Sequence, residues 1–111
     1  MKTDELVFVG FNSRVAALDR RNGEIVWSWK APKGSGYVTL LLDRDLVLVS
    51  VNGYQYGLEA ASGEEIWFNP MTGFGFGVAA IASGSASAGQ TVTQAAAVNA
   101  QTAAQSGGAA T

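Results

Sequence analysis

The chain has 111 residues, enough for one small domain, and its 9 acidic and 7 basic side chains give a net charge of −2. It has no cysteine and no histidine, which excludes disulfides, thiolate metal sites, a cysteine nucleophile and a histidine base. No cluster of basic residues is available to meet phosphates, so a nucleic-acid partner is not expected.

The first predicted elements form a short antiparallel meander. Residues 5–11 contain a nearly continuous apolar strand, and strands return at 15–19 and 25–29. The loop between the second and third strands contains Gly23, which is expected to adopt a left-handed conformation.

The next elements follow the same plan with one more strand in front. Residues 36–43 form a leading strand, and a strand ending at Val51 leads into Asn-Gly at positions 52 and 53. Asn-Gly accepts the positive φ angles of a type I′ turn, so a tight hairpin is predicted there. Strands at 55–59 and 65–69 follow, with Gly63 in the loop that joins them, again expected to be left-handed.

The two meanders align without a gap at a spacing of forty residues. Residues 5–30 align with 45–70, and the leading strand 36–43 corresponds to 76–83. A gap-free period of this length is typical of stacked supersecondary units. The sequence therefore predicts an all-β fold with two four-stranded antiparallel repeats in residues 1–83, at about 5–44 and 45–83. The residues that recur are Leu6, Val7, Val9, Asn12, Leu18, Gly23, Glu24 and Trp27.

The repeats resemble the blades of the pyrroloquinoline-quinone-like (PQQ-like) β-propeller family. The usual blade carries Ala-x-Asp-x-x-Thr-Gly-x-x-x-Trp, and Ala17, Asp19, Gly23 and Trp27 match it with Asn22 in place of Thr. The second copy matches it more loosely. The resemblance implies that each Trp docks between neighbouring blades and that the acid and Gly brace the loop beneath it. The implied blade-docking residues are Asp19, Gly23, Trp27, Glu59, Gly63 and Trp67.

Enzymes of that family hold a quinone and a calcium ion with residues spread over many blades, including a vicinal cysteine pair. That set is missing here, so neither a cofactor nor a metal is expected. Glu64 and Glu65 point to opposite faces of a strand and do not form an acid–base pair. Asp19 and Glu59 are interpreted as loop braces. No catalytic residue is therefore predicted, and the protein is not expected to be an enzyme.

Two blades leave two open faces, whereas propellers close with about four to eight blades. The first unit lacks its leading strand, and residues 76–83 have no unit of their own to lead. We therefore expect this segment of one copy to lie beside residues 5–11 of the next, in a ring of identical subunits. Four chains are favoured and three would give six blades; the alternative is a remnant of a longer propeller. The candidate inter-subunit strand residues are Phe76, Val78, Ala80 and Ile81.

The glycine-aromatic stretch at 73–77 is not followed by Lys-Ser or Lys-Thr, which disfavours a phosphate loop. Its glycines are expected to allow close backbone approach, with Phe74 and Phe76 filling the space between blades. Residues 84–111 consist almost entirely of Ala, Gly, Ser, Thr and Gln. This low-complexity tail is predicted to be either disordered or helical.

The predicted role is that of a structural or scaffolding protein whose product is the assembled ring. The alternative is a module that binds glycans or peptides through exposed aromatic rings. No signal peptide or membrane-spanning run is recognised, so the expected location is the cytoplasm or an assembled particle such as a virion or surface structure. The aromatic residues proposed for ligand binding are Trp29, Tyr37, Tyr54 and Tyr56.

Overall fold

The computed structural model describes residues 1–84, so the predicted tail, apart from Gly84, lies outside the described residues. The described part is all-β, with a three-stranded and a four-stranded antiparallel sheet. One 3-10 turn, Thr3–Glu5, precedes the first strand. The strands of the first sheet are β1 (Leu6–Phe11), β2 (Arg14–Asp19) and β3 (Ile25–Lys30), and those of the second are β4 (Val38–Asp43), β5 (Leu46–Val51), β6 (Tyr54–Glu59) and β7 (Glu65–Asn69).

The forty-residue sequence repeat is also a repeat of strand register. Leu6 pairs with Asp19 across β1 and β2, and forty residues later Leu46 pairs with Glu59 across β5 and β6. The register shifts after Ala17 in the first sheet and at the corresponding step in the second. β1, β2 and β3 therefore correspond to β5, β6 and β7, and β4 has no counterpart in the first sheet.

The tight turns adopt the backbone conformations that the sequence predicts. Asn52 and Gly53 both have positive φ angles, 47° and 99°, as a type I′ hairpin requires. The loop glycines Gly23 and Gly63 lie in the left-handed region at φ 76° and 77°. The two loops therefore have nearly the same backbone shape at these glycines.

The core lies between the two sheets, where alternate residues of β2, β5 and β6 face each other. Gly10 on β1 lies close to β4, because a Cβ added there would be 2.6 Å from Cγ1 of Val38. Phe8, Trp27 and Trp29 of the first sheet pack at the border of the core. The buried core residues are Val15, Ala31, Val47, Val49, Val51, Tyr56, Leu58 and Ala60.

Residues 78–83 do not form the strand that the repeat predicts. A strand needs a hydrogen-bonded neighbour, and in the single chain this segment has no sheet of its own to join. It is held at both ends of β4 instead: Gly77 N–H donates to Asn52 Oδ1 at 2.9 Å, and the Ser83 hydroxyl donates to Asp43 Oδ2. The segment thus runs alongside the second sheet in the direction of β4.

The glycines of the 73–77 stretch have a different role from the one expected. Gly73, Gly75 and Gly77 have φ angles of 87°, 92° and 128°, and a Cβ added to any of them would meet open space. They serve the backbone conformation rather than close packing. Phe74 and Phe76 are 79% and 80% exposed, so they do not fill space between the two sheets of one chain.

Candidate functional site

The contact between the two sheets is organised around the indole ring of Trp27. Its Nε1–H donates to the carbonyl oxygen of Ala60 at 2.8 Å. The ring lies directly over Gly63, where an added Cβ would be 2.5 Å from Cε3 of the indole. Phe8 packs beside it with ring centroids 6.1 Å apart. We call the Ala60 carbonyl together with Gly63 the indole dock of the second sheet.

The loop after β2 is braced by a carboxylate, and forty residues later the loop that carries the indole dock has the same plan. The N–H of Arg21 donates to Asp19 Oδ1 at 2.9 Å, and its guanidinium pairs with Oδ2 at 3.0 Å. Because the Arg21 side chain donates hydrogen bonds to it, the pKa of Asp19 lies below its usual value. Gly23 N–H closes the loop onto the Asp19 carbonyl at 2.7 Å. The carboxylate and the glycine therefore fix the loop conformation.

In the loop after β6, a hydroxyl takes the place of the guanidinium. Ser62 Oγ–H donates to Glu59 Oε1 at 2.7 Å, and the N–H of Glu64 donates to Ser62 Oγ at 3.1 Å. Gly63 N–H donates to the Glu59 carbonyl at 2.8 Å, which matches the closing bond of the first loop. Different side chains thus produce the same loop shape.

The two sheets differ in what their docking residues meet. Trp67, the counterpart of Trp27, lies over Gly57 on the face of the second sheet turned away from the first, and it is 42% exposed. Gly23, the counterpart of Gly63, has nothing within 4 Å of an added Cβ. One outward face therefore carries an unseated indole, and the other carries an open loop of dock shape.

The outward face of the first sheet is apolar. Val7, Val9 and Phe11 alternate along β1 on the side away from the second sheet, and all three are exposed. Val26 of β3 is exposed on the same sheet. In an isolated chain these side chains contact water, whereas the corresponding side of the second sheet is covered by the first.

The aromatic residues proposed for ligand binding are mostly used in packing. Trp29 meets Tyr56 edge to face at 4.7 Å, and Tyr54 stacks on Phe68 at 6.0 Å. Tyr56 is only 1% exposed, so the expectation of an accessible ring is wrong for this residue. It is buried because it fills the space between the sheets. Tyr37 is 65% exposed, and one exposed ring does not favour a glycan or peptide site.

Replacing Tyr56 by Phe is expected to reduce the loss of stability at alkaline pH. The hydroxyl donates to the Lys33 carbonyl at 2.6 Å, and burial raises the pKa of Tyr56 above its usual value of 10.0. A group whose pKa is raised by folding stabilises the protein fully below its unfolded pKa, and that stability is lost as pH rises through the folded pKa. Urea midpoints between pH 8 and pH 11 should fall above about pH 10, and less steeply in Tyr56→Phe. Equal slopes would contradict this assignment.

Within residues 1–84, no group of three or more Asp, Glu, His or Cys side chains is placed to hold a metal ion. In the same part of the chain, none of the helical structure is long and apolar enough to cross a membrane.

Sequence reasoning missed one functional group, the carbonyl of Ala60. A main-chain oxygen has no side-chain signature, and alanine is the least distinctive residue at that place. The available signal is positional: Ala60 directly follows the bracing acid Glu59, as Arg20 follows Asp19.

A family model described as outer membrane protein assembly factor BamB matches residues 4–106. The chain belongs to this family. The PQQ-like propeller resemblance predicted from the repeat is thereby confirmed. No sequence among curated proteins matches the chain.

Two solved structures are similar to the described fold. BamB from Moraxella catarrhalis is 28% identical with a TM-score of 0.52, and the match covers 59% of this chain and 20% of that protein. Quinohemoprotein alcohol dehydrogenase from Comamonas testosteroni is 23% identical with a TM-score of 0.52, covering 64% and 12% respectively; this likeness shows the fold alone. The chain thus spans a small part of either protein. A BamB-like propeller fold suggests a protein-interaction or scaffold role.

Proposed function

We propose that this BamB-family chain is a non-catalytic scaffold whose copies join head to tail into a closed β-propeller ring. One observation carries the proposal. The outward faces of the two sheets are the unused halves of the same interface that joins the sheets within the chain, since Trp67 repeats Trp27 and Gly23 repeats Gly63. A second copy placed by the same rotation would cover the apolar residues of β1.

The missing leading strand of the first sheet gives the proposal a register. β1 is an edge strand, and β4, which precedes its counterpart β5, pairs Leu40 with Val49. Shifted by the repeat, Ala80 of one copy would lie opposite Val9 of the next. An exposed apolar edge is an aggregation liability unless something pairs with it, so closing the ring would also protect β1.

Native mass measurement is expected to give a closed particle of four chains of 11.5 kDa each, with three chains as the smaller ring. Light scattering over a dilution series checks this result, because a ring keeps a single mass until it dissociates. A compact monomer at every concentration would refute the proposed role.

Cysteine pairs test the register of the same assembly, because the chain contains no cysteine of its own. A double variant with Val9→Cys and Ala80→Cys should link neighbouring copies under mild oxidation, as seen on a non-reducing gel. The matched control is Val9→Cys with Ala79→Cys, since neighbouring residues of a strand point to opposite faces. Linking that is equally efficient in both would contradict the register.

A further inference from the structure

The indole dock of the second sheet provides a template for an open site on the first. In the template, the Ala60 carbonyl accepts the indole N–H of Trp27, and Gly63 leaves room for the ring. The corresponding groups forty residues earlier are the Arg20 carbonyl and Gly23.

The backbone of the open site already has the shape of the template. Arg20 N–H donates to the Glu5 carbonyl at 3.0 Å, and Ala60 N–H donates to the Asp45 carbonyl at 2.8 Å. The loop glycines differ by one degree in φ, 76° against 77°. Folding of the first loop therefore provides a site of dock shape before any indole reaches it.

The part that would fill this site lies on the other outward face of the chain. Trp67 is 42% exposed on the second sheet, and the ring that occupies the template, Trp27, belongs to the first. Trp67 cannot turn back onto the first sheet of its own chain, because it lies on the far side of the second. The occupant with the matching side chain is another copy of this chain.

We infer that Trp67 of one copy seats in the loop of the next, with its Nε1–H donated to the Arg20 carbonyl and its ring over Gly23. The inference rests on the proposed ring and identifies its central contact. A large aromatic ring with a satisfied N–H in a glycine-floored site has the character of an interface hot spot. The carboxylate of Asp19 acts indirectly, by holding the loop through Arg21.

Two single variants test this contact by removing opposite halves of it. Trp67→Ala and Gly23→Val are each expected to weaken association by about 30-fold or more, measured from the concentration dependence of the native mass. Gly36→Val is the matched control, because Gly36 also has positive φ (104°) and open space but lies outside the loop. It should leave association within a few-fold of the unsubstituted chain.

Mixing the two variants adds a result that misfolding cannot imitate. A Gly23→Val chain still carries Trp67, and a Trp67→Ala chain still carries the open loop, so an equal mixture should form two-chain particles. Each variant alone should remain monomeric at that concentration.

The outcomes separate this contact from the ring itself. If the unsubstituted chain forms the ring and both variants associate as tightly, the inferred contact is wrong and the proposed function stands. If the unsubstituted chain is a monomer throughout, the proposed function fails and the contact fails with it.

Discussion

Replacing Trp27 by alanine is expected to lower the free energy of unfolding by about 3–5 kcal/mol. The indole packs on Gly63 and Phe8, and its loss would leave a cavity between the two sheets. It would also leave the Ala60 carbonyl without its donor at 2.8 Å, and a buried polar group without a partner is itself destabilising. Because small domains are stable by about 5–15 kcal/mol, the variant should be close to unfolded. Urea unfolding followed by circular dichroism measures the change.

Trp67→Ala is the matched control, because it removes the same side chain from the corresponding strand. Trp67 is 42% exposed and seals no contact between the two sheets, so the single chain should lose about 1 kcal/mol or less. The two variants also differ in their dependence on protein concentration. Trp27→Ala should be destabilised at every concentration, whereas any further effect of Trp67→Ala should appear only where copies associate. Equal losses in dilute protein would show that Trp27 does not join the sheets.

Much of the fold could be predicted from the sequence, because local and periodic signals agreed. Asn52-Gly53 specifies its turn through positive φ angles, and the spacing from Gly63 to Trp67 repeats that from Gly23 to Trp27. Such signals depend only on neighbours along the chain. They therefore survive without knowledge of tertiary contacts.

The parts that could not be predicted depend on contacts between distant residues. Tyr56 has the composition of a surface aromatic but is buried by Trp29, which lies on the other sheet. Residues 78–83 carry a strand pattern, yet a strand forms only where a second strand offers hydrogen bonds. The acceptor for the Trp27 N–H is a main-chain oxygen, which no residue type announces.

Replacing Gly63 by alanine is expected to cost about 2–4 kcal/mol, from two sources that can be separated. An alanine held at φ 77° loses about 1 kcal/mol or more, because its Cβ crowds the following carbonyl oxygen. The new methyl would also lie 2.5 Å from Cε3 and 2.6 Å from Cδ2 of Trp27, which are atoms of a rigid ring. The indole must then shift away from the Ala60 carbonyl, and overpacking of this kind costs about 1–3 kcal/mol.

Gly23→Ala isolates the second source, because the backbone conformation is the same and the surroundings are open. With φ at 76° and nothing within 4 Å of the new methyl, only the conformational cost of about 1 kcal/mol applies to the single chain. The difference between the two variants, measured by urea unfolding of dilute protein, is therefore the cost of displacing the Trp27 ring. A difference near zero would mean that the ring does not rest on Gly63. If the loss in Gly23→Ala instead grows with protein concentration, an indole from another copy occupies that loop, since nothing within the chain reaches it.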